Sequence, residues 1–251
     1  LKMDCTTANA SLSASSYLFI EQGLEGQDLQ HLKKGTASAE SVTLSFWVKS
    51  SKTGNHICEL MDNDNSRTIS KSYTINVADT WEHKTMTFAG DTVAGFTWDN
   101  NRALDIVWKL MAGSNFTGTA STTWGTSSDA RSANGISNNN WGTGSDDTWY
   151  LSGVQLEVGS VATDFEHKTY GEELALCQRY YYKWDASSSS YLNICMGKAV
   201  NSTKSRGVVD YPVTMRNTPT IDSSGSFRSV DSAASTGAAV SISRASKFNT
   251  Y

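Results

Sequence analysis

The sequence predicts an all-β fold, a sandwich or barrel of short antiparallel strands followed by a second, smaller β unit. Composition is the first observation. Of 251 residues only 18% are charged and 38% are hydrophobic, and much of the rest is Ser, Thr, Asn and Gly, which suit turns and exposed strand faces. Alternation is the second: in VTLSFWVKS (42–50), Val42, Leu44, Phe46 and Val48 fall on one face, and Thr43, Ser45, Trp47 and Lys49 on the other. Third, such segments recur at short intervals between turn-forming residues, as sandwiches and barrels require.

Each element follows from the same reasoning. HICELM (56–61) and SYTINV (72–77) alternate around DNDNSR, whose Asp and Asn favour a tight turn, so they are expected to form a hairpin. WEHKTMTF (81–88) reads as a strand with Met86 and Phe88 on one face, and ALDIVWKLM (103–111) aligns Leu104, Ile106, Trp108 and Leu110. Residues 113–147 are polar and glycine-rich, punctuated by Phe116, Trp124 and Trp141; a connection of that length is usually functional or disordered. WYLSGVQLEVG (149–159) closes the region, with Tyr150, Val154 and Leu156 read onto one face. In EELALCQRYYY (172–182) acids come first and Arg179 late, as a helix dipole favours, so a short helix or turn entering a strand is expected. DASSSS after Trp184 marks a boundary, and YLNICM, GVVDYPV, SFRSV and AAVSIS suggest the smaller β unit, with Pro212 and Pro219 at edges or strand ends.

The expected domains are therefore 1–170, a two-sheet antiparallel sandwich, and 171–251, a smaller β domain. Val42, Leu44, Phe46, Val48, Leu104, Ile106, Trp108, Val154 and Leu156 should face inward, since burying one apolar face is what drives such strands together.

The net charge of -4 and the absence of a basic stripe exclude an electrostatic footprint for nucleic acid or an anionic membrane. No apolar run has the length of a membrane span, and the start has neither Met nor a signal-like apolar region, so the chain reads as soluble and as a fragment or processed product. Cys5, Cys58, Cys177 and Cys195 lack CxxC spacing and sit among apolar or β-branched neighbours, which suits buried free thiols, although an even count leaves disulfides open.

No hydrolase, zinc-protease or nucleotide-binding motif is present. Asp146 with Asp147, and Glu172 with Glu173, are adjacent and cannot converge on one bond from a strand, so they are expected to be solvated surface charge. His31, His56, His83 and His167 show no ligand spacing and have the flanks of exposed strand ends. DNDNS (62–66) begins like a calcium loop but has Arg67 at the glycine position and Tyr73 at the bidentate glutamate position, which favours a hairpin turn. What remains is aromatic residues on polar loops. An indole stacks on the apolar face of a sugar while amides bond its hydroxyls, so Trp124, Trp141, Asn138, Asn139 and Asn140 form a candidate glycan surface; the competing role for each Trp is to pin a long loop to the sandwich.

LSFWVKSSKTG (44–54), TWEHKTMTF (80–88) and WYLSGVQLEVGSVATDFEHKTYGEELALCQRYY (149–181) together resemble a family of bacteriophage tail-fibre and related virion appendage proteins, and PVTMRNTP (212–219) is similar to the segment that follows in them. Asp164 stands where that pattern has a proline. The first two blocks and the closing strand also resemble carbohydrate-binding modules of the xylanase and cellulase type. These resemblances imply a jelly-roll sandwich, a non-enzymatic virion protein that attaches to a host surface glycan, assembly as a homotrimer beside other virion proteins, and no membrane insertion. They imply no cofactor beyond a structural calcium near the chain ends, for which no ligands are assigned. A purely structural virion protein, such as a fibre shaft or capsid decoration, is an alternative, as are a depolymerase and the carbohydrate-binding module of a secreted glycosidase.

Overall fold

A computed structural model describes residues 1–9, 11–118, 121–128, 133, 136, 141–185, 195, 197–201 and 204–222. The chain divides into two compact units, Leu1–Glu166 and His167–Tyr251.

The first unit is built from β1 (Lys2–Asp4), β2 (Tyr17–Glu25), β3 (Val42–Ser50), β4 (Gly54–Asp62), β5 (Arg67–Ile75), β6 (Glu82–Phe88), β7 (Arg102–Ala112), β8 (Gly125–Thr126) and β9 (Thr148–Val158). One antiparallel sheet has the order β1-β9-β3-β6 and the other β2-β7-β4-β5-β8. Most successive strands cross from one sheet to the other. With the short β8 set aside, four strands face four in jelly-roll order, so the protein is an all-β jelly-roll sandwich.

Alternation fixes which side chains lie between the sheets. Leu44, Phe46 and Val48 of β3 have no exposed surface, and Leu104, Ile106 and Trp108 of β7 almost none. Phe46 sits edge-on to Tyr73 of β5, with ring centroids 5.2 Å apart, and to Trp108 at 5.9 Å; such contacts add about 0.5–1.5 kcal/mol each beyond the area they bury. The hairpin forms around DNDNS as expected, with β5 beginning at Arg67 rather than Ser72. Asp62 accepts the Asn65 backbone N–H at 3.1 Å, so its side chain closes the turn.

The β9 strand departs from the sequence reading. Tyr150 pairs with Lys49 and points outward, while Trp149 and Leu151 are buried. Val154 and Leu156 do face the core, but are only partly buried. The cause is a glycine bulge: Trp47 pairs with Ser152 and Ser45 with Gln155, so Gly153 and Val154 share the place opposite Phe46. Gly153 has φ 56°, the left-handed conformation that this type of bulge needs. One extra residue reverses the parity, so strict alternation could not carry Tyr150 and Val154 onto one face.

Three further expectations are corrected in the first unit. His56 is buried, because it shares the inner face of β4 with Cys58 and Leu60. Asp147 is also buried: its carboxylate accepts the backbone N–H groups of Gly142 at 2.9 Å and Gly144 at 3.0 Å and pairs with Lys52 at 3.2 Å. Finally, the 113–147 connection is more than a surface loop, since Ala133 and Ile136 pack on Ile57 on the outer side of the five-stranded sheet.

The second unit contains α1 (Tyr170–Gln178) and a hairpin of β10 (Gly197–Asn201) with β11 (Lys204–Gly207). A capping box starts the helix: the Thr169 side chain accepts from the Glu172 N–H while the Glu172 carboxylate accepts from the Thr169 N–H. The segment after α1 does not become a strand. Tyr180 and Tyr181 donate their N–H groups to the Cys177 carbonyl, which prolongs the helical turn, and residues 181–185 are irregular. GVVDYPV is likewise irregular beyond Gly207, and Pro212 and Pro219 lie outside strands. SFRSV, AAVSIS and most of YLNICM fall outside the described residues. All four cysteines are free thiols; Cys5 and Cys58 are buried, but Cys177 and Cys195 are exposed, the former because no residue of α1 is buried.

Candidate functional site

The outer face of the four-stranded sheet carries a patch of aromatic side chains. Trp47 of β3 pairs across the sheet with His83 of β6 on one side and Ser152 of β9 on the other, while Lys49 pairs with Tyr150, which in turn pairs with Lys2 of β1. Trp81 immediately precedes β6 and continues the His83 side of the strand. Two rows result, one of His83, Trp47 and Ser152, the other of Trp81, Lys49, Tyr150 and Lys2. Neighbouring strands lie about 4.8 Å apart and alternate residues of a strand about 6.7 Å apart, so the rings tile one continuous surface. Trp47 is 44% exposed and Trp81 43%.

Each ring is held in place. The Trp47 and His83 ring centroids are 5.1 Å apart, and those of Trp81 and Tyr150 6.1 Å. A Cβ at Gly153 would come 3.2 Å from Cδ1 of Trp47, so the bulge glycine leaves room for the indole over β9. Phe165, 40% exposed, borders the same spot. Its segment is tied back onto β9, where the Gln155 side chain accepts the Glu166 N–H at 2.8 Å and Glu157 accepts the Thr163 N–H at 3.1 Å. The turn leading to Trp81 is held by Glu82, whose carboxylate accepts the N–H groups of Asn76 and Val77, both at 2.8 Å. Burial alone would push this carboxyl up, but Lys84, Val77 and Asn76 outweigh burial and hold it at about 2.

Lys49 lies among these rings. Its Nζ is 4.3 Å from the Tyr150 centroid and 5.6 Å from that of Trp81, within range for cation–π attraction. Lys2 Nζ lies 5.9 Å from the Tyr150 ring centroid and pairs with Asp4 at 3.0 Å.

The loop residues expected to bind a glycan are placed differently. Trp141 is 5% exposed and belongs to the sandwich core, so no face of its ring is open. Trp124 is half-buried, donates its indole N–H to the Ala89 carbonyl at 2.7 Å, and packs over Lys34 Nζ at 5.3 Å. Asn138, Asn139 and Asn140 lie outside the described residues. Trp141 is in the core and Trp124 packs against it, so neither belongs to the sheet patch. Alternation alone places Trp47 and Lys49 on the outward face of β3, but nothing in the sequence marks them as a site, because Trp81 and Tyr150 join them only through strand register.

Most buried carboxylates of the first unit are matched to cations, while Glu25 accepts the Gln27 amide N–H at 2.8 Å. Lys34 pairs with Asp62 and, at 3.1 Å, with Asp91, which also accepts a two-pronged bond from Arg67 at 2.6 and 3.0 Å. Asp105 is held by Arg102, and Glu59 by Lys109 at 3.1 Å. Burial would raise the Asp91 carboxyl, yet Arg67, the Val93 N–H and Lys34 draw it below the usual carboxylate range. Among the described residues, no group of three or more His, Cys, Asp or Glu side chains is arranged to hold a metal ion. A cleft of about 270 Å³ opens between the sheets beside β2 and β9, lined by Leu24, Ile106, Val154 and Leu156 with Gln22 and His31 at its rim. This opening is why Val154 and Leu156 are only partly covered.

The sequence matches no protein-family model and no curated protein. Among solved structures it is similar to one titled "CBM4 structure and function", with 14% identity over 57% of this chain and 61% of that one, at a TM-score of 0.29. This chain thus spans somewhat under two thirds of that structure.

Proposed function

We propose that this chain is a non-catalytic attachment module of a bacteriophage tail fibre or similar virion appendage, and that its first unit holds a surface glycan against the outer face of the four-stranded sheet. One observation carries the binding part: Trp47, Trp81 and Tyr150 stand on a single face of a rigid sheet, with their rings braced and partly open to water. Flat aromatic surfaces of this kind stack on the apolar faces of pyranoses, and the cost of ordering them has already been met by the fold. The exposed Ser152 beside Trp47 supplies a hydroxyl for sugar hydroxyls. Support for the virion setting is the resemblance of residues 44–54, 80–88 and 149–181 to tail-fibre proteins. A non-catalytic role fits the ion pairing of Asp62, Asp91, Asp105 and Glu59, which leaves these carboxylates poor general acids or bases.

The test is a glycan array followed by calorimetry on the wild type, Trp47→Ala and Trp81→Ala, with melting curves beside them. Each substitution should weaken binding by about 1–3 kcal/mol and leave the melting temperature within a few degrees. Unchanged affinity in both variants would reject this face as the site.

A second reading, a structural fibre component, is favoured by a different observation. Tyr170, Leu174, Leu176, Tyr180 and Tyr181 in and after α1 are all at least 40% exposed, a large apolar surface to leave in water. A homotrimer burying these residues would serve either role, and sedimentation of the wild type against Leu174→Glu would detect it.

A further inference from the structure

We infer that the aromatic face selects an anionic glycan, one whose pyranose rings carry carboxylate or sulfate, rather than a neutral one. This rests on reading that face as a glycan platform, and names the ligand class it takes. Lys49 is the reason. Its ammonium stands between the Tyr150 ring at 4.3 Å and the Trp81 ring at 5.6 Å, and among the described residues no carboxylate is paired with it. Most other cations of this unit are matched, Lys34 and Arg67 to Asp91, Lys52 to Asp147, Lys109 to Glu59 and Arg102 to Asp105, while Lys71 lies over the Phe88 ring at 5.8 Å, away from any stacking row. Lys49 is therefore a positive charge in the middle of a stacking surface in a chain whose net charge is -4.

Its neighbours strengthen the case. Lys2 approaches the same Tyr150 ring at 5.9 Å, so two ammonium groups flank one phenol while a single carboxylate, Asp4, is shared with Lys2 alone. An anion lying over Tyr150 would relieve the repulsion between them. A neutral sugar offers the Lys49 ammonium hydroxyl oxygens in place of water but no counter-charge, so it gains less than an anionic ring does. The arrangement thus favours a negatively charged ring over an uncharged one, by attraction rather than by exclusion.

The experiment is titration calorimetry of the whole chain with four probes: polygalacturonate and alginate oligomers for carboxylate, dextran sulfate for sulfate, and dextran as the neutral control. Wild type, Lys49→Gln, Lys49→Arg, Trp47→Ala and Lys33→Gln are compared, each with a melting curve. At least one anionic probe should bind roughly tenfold or more tighter than dextran, as a charge-assisted contact implies. Lys49→Gln should abolish that preference, Lys49→Arg should restore most of it, and Lys33→Gln, which removes a charge paired with Glu40 away from this face, should leave binding as it was. Equal binding of dextran and the anionic probes, unaltered by Lys49→Gln but weakened by Trp47→Ala, would overturn the anionic preference while leaving the platform standing. Anionic binding that Trp47→Ala does not touch, or no binding to any probe, would remove both.

Discussion

Acidification from pH 7 to pH 5 is expected to cost the first unit about 2 kcal/mol through His56 alone. The imidazole is 5% exposed on the inner face of β4 and stacks on Tyr73 with ring centroids 5.6 Å apart. Among the described residues its Nδ1 has no hydrogen-bond partner. Burial pushes its pKa down from 6.5 to about 4, against the weaker opposing pull of a hydrogen bond to the Lys109 backbone. The folded state therefore keeps His56 neutral over a range in which the unfolded chain takes up a proton. Stability is full above pH 6.5 and falls as pH drops towards 4, at about 1.4 kcal/mol per unit, for a total of roughly 3 kcal/mol across the window. In a unit of this size, 2 kcal/mol at pH 5 corresponds to a melting-temperature drop of about 4–8 °C. The assay is urea unfolding or calorimetry at pH 7, 6 and 5 for the wild type and His56→Phe, which keeps an aromatic ring against Tyr73 but cannot titrate. The variant should lose much less stability than the wild type over this range. Parallel losses in both proteins, or a flat wild-type profile, would refute the linkage.

Other perturbations separate the remaining parts of the argument. Gly153→Val should cost about 1–2 kcal/mol for placing a side chain at positive φ and also weaken glycan binding by displacing Trp47; a variant with wild-type melting and affinity would count against the bulge as a support for the indole. Lys34→Met should destabilise by about 3–5 kcal/mol, since it leaves the buried Asp62 and Asp91 short of a counter-charge, and a denaturant midpoint shift worth under 1 kcal/mol would show that the ion cluster is dispensable. Burial pushes the Cys58 thiol up, so in the native protein an alkylating reagent should label the exposed Cys177 and Cys195 while sparing Cys58 until the chain unfolds. Mass spectrometry of the digested adducts reads this directly.

Much of the sandwich was legible where one strand decides its own faces. In β3 and β7 a single period-two pattern runs from end to end, and Val42, Leu44, Phe46, Val48, Leu104, Ile106 and Trp108 are all buried. Legibility failed where the decisive fact belonged to two segments at once. The bulge at Gly153 reverses the sense of β9 through a mismatch with β3 that β9 alone does not display. β2 went unread because its inward row of Leu18, Ile20, Gln22 and Leu24 includes an amide and it borders the open cleft. Polar composition around 113–147 concealed that Trp141, Ala133 and Ile136 are packing residues. The aromatic face is the clearest case: its rings come from residues 47, 81 and 150, and only antiparallel register makes neighbours of them. By contrast, the capping box at Thr169 and Glu172 was present as a local T-x-x-E pattern and could have set the helix start from sequence.

The extra residue in β9 also bears on how this strand tolerates changes in length. An insertion or deletion inside a regular strand turns every following side chain to the other side of the sheet. Here Phe46 is already opposed by two residues, Gly153 and Val154, while the flanking pairs are Trp47 with Ser152 and Ser45 with Gln155. Removing Gly153 would set Val154 opposite Phe46 in an even ladder, with Val154 and Leu156 still inward and Tyr150 still outward. Losing that residue should therefore disturb the core less than replacing it with a branched one. A strand of this kind can lose one codon at the kink and alter the tilt of an exposed indole while its interior is inherited unchanged, so the outer face of the sheet can vary more freely than the scaffold beneath it.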